Sequence, residues 1–397
     1  MTTLITSSAD LIDVCTLSSS EPFIAIDTEF MRDKTYYPRL CLVQIATRDH
    51  DFLIDPLSDG MDLSPFFALM SAPTVTKVFH AARQDIEILW KQGRVIPQPL
   101  FDTQIAAMMC GYGASISYEQ LVGKCLNTPI NKSLRFTDWA LRPLSEEHKA
   151  YAAADVRHLH ALYSVMRDEL KARGRETWFE DQQRVLLSWK TYENVPEEAW
   201  MRLRTRVKTP RAFALLVEVA AWRERLAQRQ DVPRQHILKD DQMIALISAA
   251  EQGPMDLTDF IRFMRRPVEE TDLSALQEAV HNGSTRDVNL LPETDLQERH
   301  RPSTTPTLEM LKLLLKAVAE EENIPAYTLG STEDLFAFLK AEDVSQTHLF
   351  SGWRAHVLGE KAQALKSGEG ALMIKNGRVT FMPCSPAGRI RGVEDAS

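Results

Sequence analysis

Two acids close an otherwise apolar run from Phe23 to Phe30, FIAIDTEF. Read as a strand, the run puts Phe23, Ala25, Asp27 and Glu29 on one face and Ile24, Ile26, Thr28 and Phe30 on the other. Two carboxylates side by side at a strand end oppose ionisation, through desolvation and through like-charge repulsion. A positive group must sit between them: an arginine or lysine from elsewhere in the chain, or a hard cation such as Mg2+ that takes a few carboxylate oxygens. The D-x-E pair alone does not choose between the two. Two further acids add weight to the cation. Asp85, in HAARQDIEIL, lies in the first turns of a helix that follows a strand, and Asp155, in YAAADVRHL, lies on a long helix with Tyr151 one turn earlier, where residues four apart share a face. Together Asp27, Glu29, Asp85 and Asp155 offer enough oxygens for two Mg2+ or Mn2+ ions. Such a pair, about 3.5 to 4 Å apart, is the apparatus of phosphodiester hydrolysis: one ion lowers the pKa of a water and the other stabilises the leaving oxygen. Tyr151, with an ordinary pKa of about 10, stays protonated and orients that water through a hydrogen bond instead of acting as a free base.

The elements that must carry these groups follow from the periodicity. FIAIDTEF, RLCLVQIAT and HDFLIDPL read as consecutive strands with short connections, which favours antiparallel neighbours. A helix near DLSPFFALM, a strand TVTKVFH, the helix ARQDIEILWKQG and a strand-like RVIPQPLFDT then alternate, which implies parallel pairing. Beyond Asp102 the segment reads as helical, and the long helix starts at Ser145 with Glu146 and Glu147 behind it, a well-signalled N-terminus. From Pro210 the pattern is helical with no convincing strand. Two helical units, each with a long first helix and a proline-bearing turn (DVPRQ and NIPAY), read as candidate diverged repeats separated by the polar stretch before Pro306. The tail GVEDAS reads as disordered.

Bulk properties set the limits. A chain of 397 residues with 44% hydrophobic and 25% charged side chains is that of a globular protein of two to four domains. The five cysteines are odd in number, widely spaced and lack a C-x-x-C pair, so neither a disulfide framework nor a zinc site is supported. The N-terminus does not read as a signal peptide and no run approaches the length of a membrane helix, so the expected location is the cytoplasm. The net charge of -9 argues against a protein that coats nucleic acid without specificity. Between Trp200 and Lys239, however, ten Lys or Arg face three Asp or Glu, a net of +7 that fits RNA guidance as well as it fits a solvated helix face.

In DTEF, HAARQDIEIL and YAAADVRHL the chain resembles the three exonuclease motifs of the DEDD superfamily, in the variant with tyrosine before the last acid. More specifically, TDWALRPLSEEHKAYAAADV resembles the ribonuclease D family. WRERLAQRQDVPRQHIL, and less closely LFSGWRAHVLGEKAQAL, resemble the helicase-and-ribonuclease-D C-terminal (HRDC) domain. The resemblance implies an α/β ribonuclease H-like exonuclease domain, a mixed sheet flanked by helices, over residues 1–205. It also implies two all-α helical HRDC-like domains, at 206–288 and, diverged, at 307–390, with a linker at 289–306. It implies removal of nucleotides one at a time from the single-stranded 3′ end of RNA, notably transfer RNA precursors. Asp27, Glu29, Asp85 and Asp155 would be the metal ligands and Tyr151 the water-orienting residue. The chain is expected to act as a monomer, the helical units supplying the substrate grip in cis.

Three other residues are weaker candidates for substrate contact. His80, just before the Asp85 helix, could touch a phosphate or cap the strand; Trp139 could stack on an unpaired base or anchor a loop; Arg142 could bind phosphate or pair with an acid. Asp102 reads as a helix N-cap. Two competing functions remain at this point, a DNA 3′–5′ exonuclease of the same superfamily and a catalytically silent nucleic-acid adaptor built on the helical domains.

Overall fold

The computed structural model describes residues 2–130, 137–203, 207–264, 266–291 and 305–384. Strands β1 (Thr2–Ile5), β2 (Phe23–Met31), β3 (Arg39–Ala46), β4 (Asp51–Ile54), β5 (Thr76–Phe79) and β6 (Leu100–Asp102) form one sheet in the order β1-β4-β3-β2-β5-β6. The short connections make β2–β3 and β3–β4 antiparallel, and the helical crossovers make β2–β5 and β5–β6 parallel, as the alternation predicts. Central β2 buries Ile24 and Ile26 completely. Pairing with β3 slips between Glu29 and Phe30, a bulge that bends the strand just after its second acid.

Helices α1 (Ser8–Ser19), α2 (Ser64–Ser71) and α3 (Arg83–Gly93) contribute Leu11, Phe66, Ile86 and Leu89 to one core. On the other face lie α4 (Thr103–Met109), α5 (Tyr118–Leu126), α6 (Glu146–Ala172) and α7 (Glu176–Gln183). Ser145 caps α6 by accepting from the His148 N–H, and the helix buries Ala152, Val156, Leu159, Leu162, Met166 and Leu170 at the three-and-four spacing of an amphipathic face. That face lies across β2 and β3, which brings the first turns of α6 over the end of β2.

Next come α8 (Pro210–Gln230), α9 (Arg234–Ile237), α10 (Asp240–Ala250), α11 (Leu257–Ile261) and α12 (Glu270–Thr285), and then α13 (Pro306–Glu322), α14 (Thr332–Lys340) and α15 (Glu360–Ser367). α8 and α13 share their punctuation. Each is capped by a threonine and has proline in its first turn, and each ends on a left-handed residue, Asp231 or Asn323, two positions before a proline. The expectation of helices alone past Pro210 misses one element. β7 (Gly370–Lys375) and β8 (Arg378–Pro383) form a hairpin whose turn, Asn376-Gly377, has positive φ at both residues, as a type I′ turn requires. Most of the expected linker and the tail GVEDAS lie outside the described residues.

Side chains join the units. Tyr36, in the loop after β2, donates to Glu224 of α8, and Tyr37 N–H donates to Asp231. Arg175 bonds Glu322, Arg354 bonds Asp181, and the Trp178 and Trp353 rings stack 4.3 Å apart. Among the described residues no helix is long and apolar enough to cross a membrane.

Candidate active site

β2 delivers Asp27 and Glu29 to the face that α6 covers, and α6 returns Asp155 to meet them. One carboxylate oxygen from each of Asp27, Glu29 and Asp155 lies within 4.8 Å of the others. Asp85 arrives from the first turn of α3, is 7% exposed, and accepts a hydrogen bond from Thr28, the residue between the two strand acids. Asp102 explains how α3 is aimed. Its carboxylate caps α4 through the N–H groups of Gln104 and Ile105 and also accepts from Ala81 and Ala82, holding Ala81 in a left-handed conformation just before α3. The expected N-cap therefore also fixes the turn that presents Asp85.

Burial governs the electrostatics. Desolvation, then repulsion from Asp155, pushes Asp27 up to about 7. Desolvation followed by Asp27, Asp155 and Asp85 pushes Glu29 up to about 9. Desolvation pushes Asp155 up to about 7 against a hydrogen bond from Tyr151, and Asp85 is also raised by burial and by Asp27. Among the described residues no arginine or lysine acts on any of these acids to offset the repulsion. A half-buried set of oxygens with no counter-charge among the described residues suits a hard divalent cation, and carboxylate oxygens are the donors that Mg2+ and Mn2+ take. Burial, with Asp155, Glu29 and Asp27 adding to it, raises the Tyr151 phenol well above its ordinary value, so it keeps its proton at neutral pH.

The remaining candidates occupy supporting positions. Trp139 is 2% exposed, its ring 5.3 Å from His148 and 6.0 Å from Tyr151, so it backs the tyrosine instead of offering a face for a base. Every nitrogen of the Arg142 guanidinium is engaged: Nε and Nη2 on Asp55, Nη2 also on the Cys41 carbonyl, Nη1 on the carbonyls of Trp139 and Leu141. Arg142 thus clamps the loop before α6 and has no donor left for phosphate. His80 Nδ1 lies 3.0 Å from Thr103 Oγ1, its Nε2 is buried, and burial lowers the pKa of the ring below its ordinary value. One neighbour escaped the sequence reading. The Tyr118 hydroxyl donates to the main-chain carbonyl of Asp155, and its ring lies 5.4 Å from His80. A contact to backbone 37 residues away leaves no spacing signal.

The basic stretch also takes its place. Arg223 bonds Asp240, Arg229 bonds Asp272, Arg234 bonds Glu224, and Arg211 donates to the carbonyls of Gly283 and Arg286. Much of the +7 excess is therefore internal wiring of the helical unit.

Comparison with known proteins follows the same division. The chain matches the 3′–5′ exonuclease family over residues 2–171 and the HRDC domain over residues 212–270. A ribonuclease D from Nitrobacter hamburgensis is 43% identical over 377 residues, covering 95% of this chain and 98% of the relative. One from Bartonella henselae is 41% identical, covering 96% and 93%. The crystal structure of Escherichia coli RNase D, described as an exoribonuclease involved in structured RNA processing, superimposes with a TM-score of 0.75 at 29% identity, covering 92% of this chain and 99% of that one.

Proposed function

This chain belongs to the ribonuclease D family and is a 3′–5′ exoribonuclease, and from that premise we propose how its residues perform the reaction and on what. Asp27, Glu29, Asp85 and Asp155 hold two divalent ions, Mg2+ or Mn2+. When bound, the ions supply a water acidic enough to attack and a positive charge for the leaving oxygen. The observation that carries this reading is the meeting of Asp27, Glu29 and Asp155 with no balancing cation among the described residues. Tyr151, kept protonated by its surroundings, orients the attacking water from one turn along the helix that carries Asp155. Trp139 and the Arg142 clamp hold the start of that helix in place, and Asp102 and Thr28 hold Asp85. Each cycle releases a nucleoside 5′-monophosphate. The substrate is RNA with a single-stranded 3′ end, of which transfer RNA precursors are the natural case, and the protein works as a cytoplasmic monomer. The assignment of Escherichia coli RNase D to structured RNA processing supports that substrate class.

The test follows a 5′-labelled hairpin RNA with a single-stranded 3′ tail in Mg2+, in EDTA and with Asp155→Ala protein. The expected result is a metal-dependent ladder shortening from the 3′ end that the variant does not produce. A variant as fast as the wild type in saturating Mg2+ would remove Asp155 from the ligand set, and faster digestion of the matched DNA would move the substrate to DNA.

A further inference from the structure

Beside the acids lies a cavity of about 300 Å3 that shares Tyr151 and Asp155 with them. One wall is apolar, Pro129 and Ile130, and faces the small side chains of Ala150 and Ala154 on α6. Its polar ends are Glu147, one turn before Tyr151, and His158, one turn after Asp155, so the helix forms a floor about 16 Å long with the reacting groups near its middle. At the small end of ligand-pocket volumes, the cavity suits a nucleoside better than a larger ligand. Neither Glu147 nor His158 has a hydrogen bond or ion pair among the described residues.

We propose that this cavity is a ribonucleoside subsite flanking the scissile phosphate, in which the Glu147 carboxylate accepts a hydrogen bond from a ribose 2′-hydroxyl. The inference rests on the active-site reading above. A carboxylate only accepts, so its ligand must bring a donor. Phosphate oxygens bring none and are repelled. Base donors change with sequence, whereas the apolar wall takes the face of any base. The 2′-hydroxyl is present on every ribonucleotide and absent from DNA, and it is the group by which a protein separates the two. Glu147 sits about 6 Å along the helix from Tyr151, so it faces the sugar next to the phosphate that Tyr151 faces. Its alternative role is to complement the α6 dipole from the first turn, a task Glu146 and the Ser145 cap already perform.

Single-turnover cleavage in Mg2+ is measured on an all-ribose oligomer and on two others carrying one 2′-deoxy sugar, at the last or the next-to-last position. The wild type is expected to lose about tenfold on one of the two, the size of a hydrogen bond to a charged group. Glu147→Ala brings the ribose-to-deoxy ratio close to one. Glu147→Gln, which keeps an acceptor oxygen, retains part of it. A dipole role alone lowers the melting temperature of Glu147→Ala and leaves the ratio as it was, which overturns the proposal, as does a wild type indifferent to both deoxy sugars. Failure of the wild type to shorten even the all-ribose oligomer would instead overturn the active-site reading on which this one stands.

Discussion

Thr28 donates its hydroxyl hydrogen to Asp85, and this one bond ties the strand that carries Asp27 and Glu29 to the helix that carries Asp85. Thr28 is 6% exposed and points to the opposite side of β2 from its two acidic neighbours. Replacing it with valine keeps the volume and removes the donor, leaving a buried carboxylate without its partner. A hydrogen bond to a charged group contributes about 1.5–3 kcal/mol. In Thr28→Val the Mg2+ concentration for half-maximal rate should therefore rise about tenfold or more. A Mg2+ titration of the single-turnover rate reads this directly, and an unmoved midpoint would mean that Asp85 is set by its helix alone.

The raised acids predict how pH acts on the metal-free protein. Asp27 and Asp155 titrate at about 7 and Glu29 at about 9 in the fold, against about 4 in an unfolded chain. Between those values the folded state holds more protons than the unfolded one, so this cluster's contribution to stability falls as pH rises from about 4 towards 9. Bound cations remove the repulsion. Melting temperatures in EDTA should fall from pH 6 to pH 8.5 more steeply for the wild type than for Glu29→Gln, and Mg2+ should raise the wild-type melting point more at pH 8.5 than at pH 6. Equal Mg2+ shifts at both pH values would argue that the acids are ionised without metal.

What the sequence revealed and what it concealed divide along physical lines. The alternation in FIAIDTEF, the Ser145 start of α6 and the one-turn spacing of Tyr151 and Asp155 are local signals, and they place most of the site. The bulge after Glu29, the second role of Asp102 at Ala81 and Ala82, and the Tyr118 bond to Asp155 depend on partners many residues away, so no window of sequence contains them. The β7–β8 hairpin was readable from Asn376-Gly377 between alternating residues and was hidden by the helical pattern around it. Formal charge misled in the opposite way. The arginines near Pro210 look like a phosphate grip because their carboxylate partners lie elsewhere in the chain.

Arg142 gives a sharp separation of structure from substrate contact. Its guanidinium satisfies Asp55, which is 5% exposed, and the carbonyls of Cys41, Trp139 and Leu141. Removing one partner of a buried pair costs about 3–5 kcal/mol, and the 25% exposure of the Arg142 side chain places its loss near the lower end. Arg142→Ala should lose that much in urea unfolding, and Arg142→Lys should recover little, since an ammonium cannot reproduce the two-pronged geometry. RNA affinity of the folded variant should stay at the wild-type value. A large loss of affinity with little loss of stability would restore Arg142 to the substrate.

In the basic segment, too, affinity and stability are the two readouts. Arg223 is 4% exposed and divides its donors between Asp240 and the Leu238 carbonyl, while Arg234 meets Glu224, itself 1% exposed. Burial alone would raise the Glu224 carboxyl, but hydrogen bonds from Arg234 and Tyr36 hold it below its ordinary value, so the network is ionised and joins the exonuclease loop to α8. An arginine that binds phosphate contributes about one unit to the salt dependence of RNA affinity. Arg223→Met should leave that slope where it is and lower the melting temperature, because the charge it removes serves Asp240 and not the RNA. Arg225, paired with Glu197 at a site where both side chains are more than half exposed, should change stability by about 0–1 kcal/mol. A slope that drops by about one in Arg223→Met, at wild-type stability, would return the segment to RNA binding.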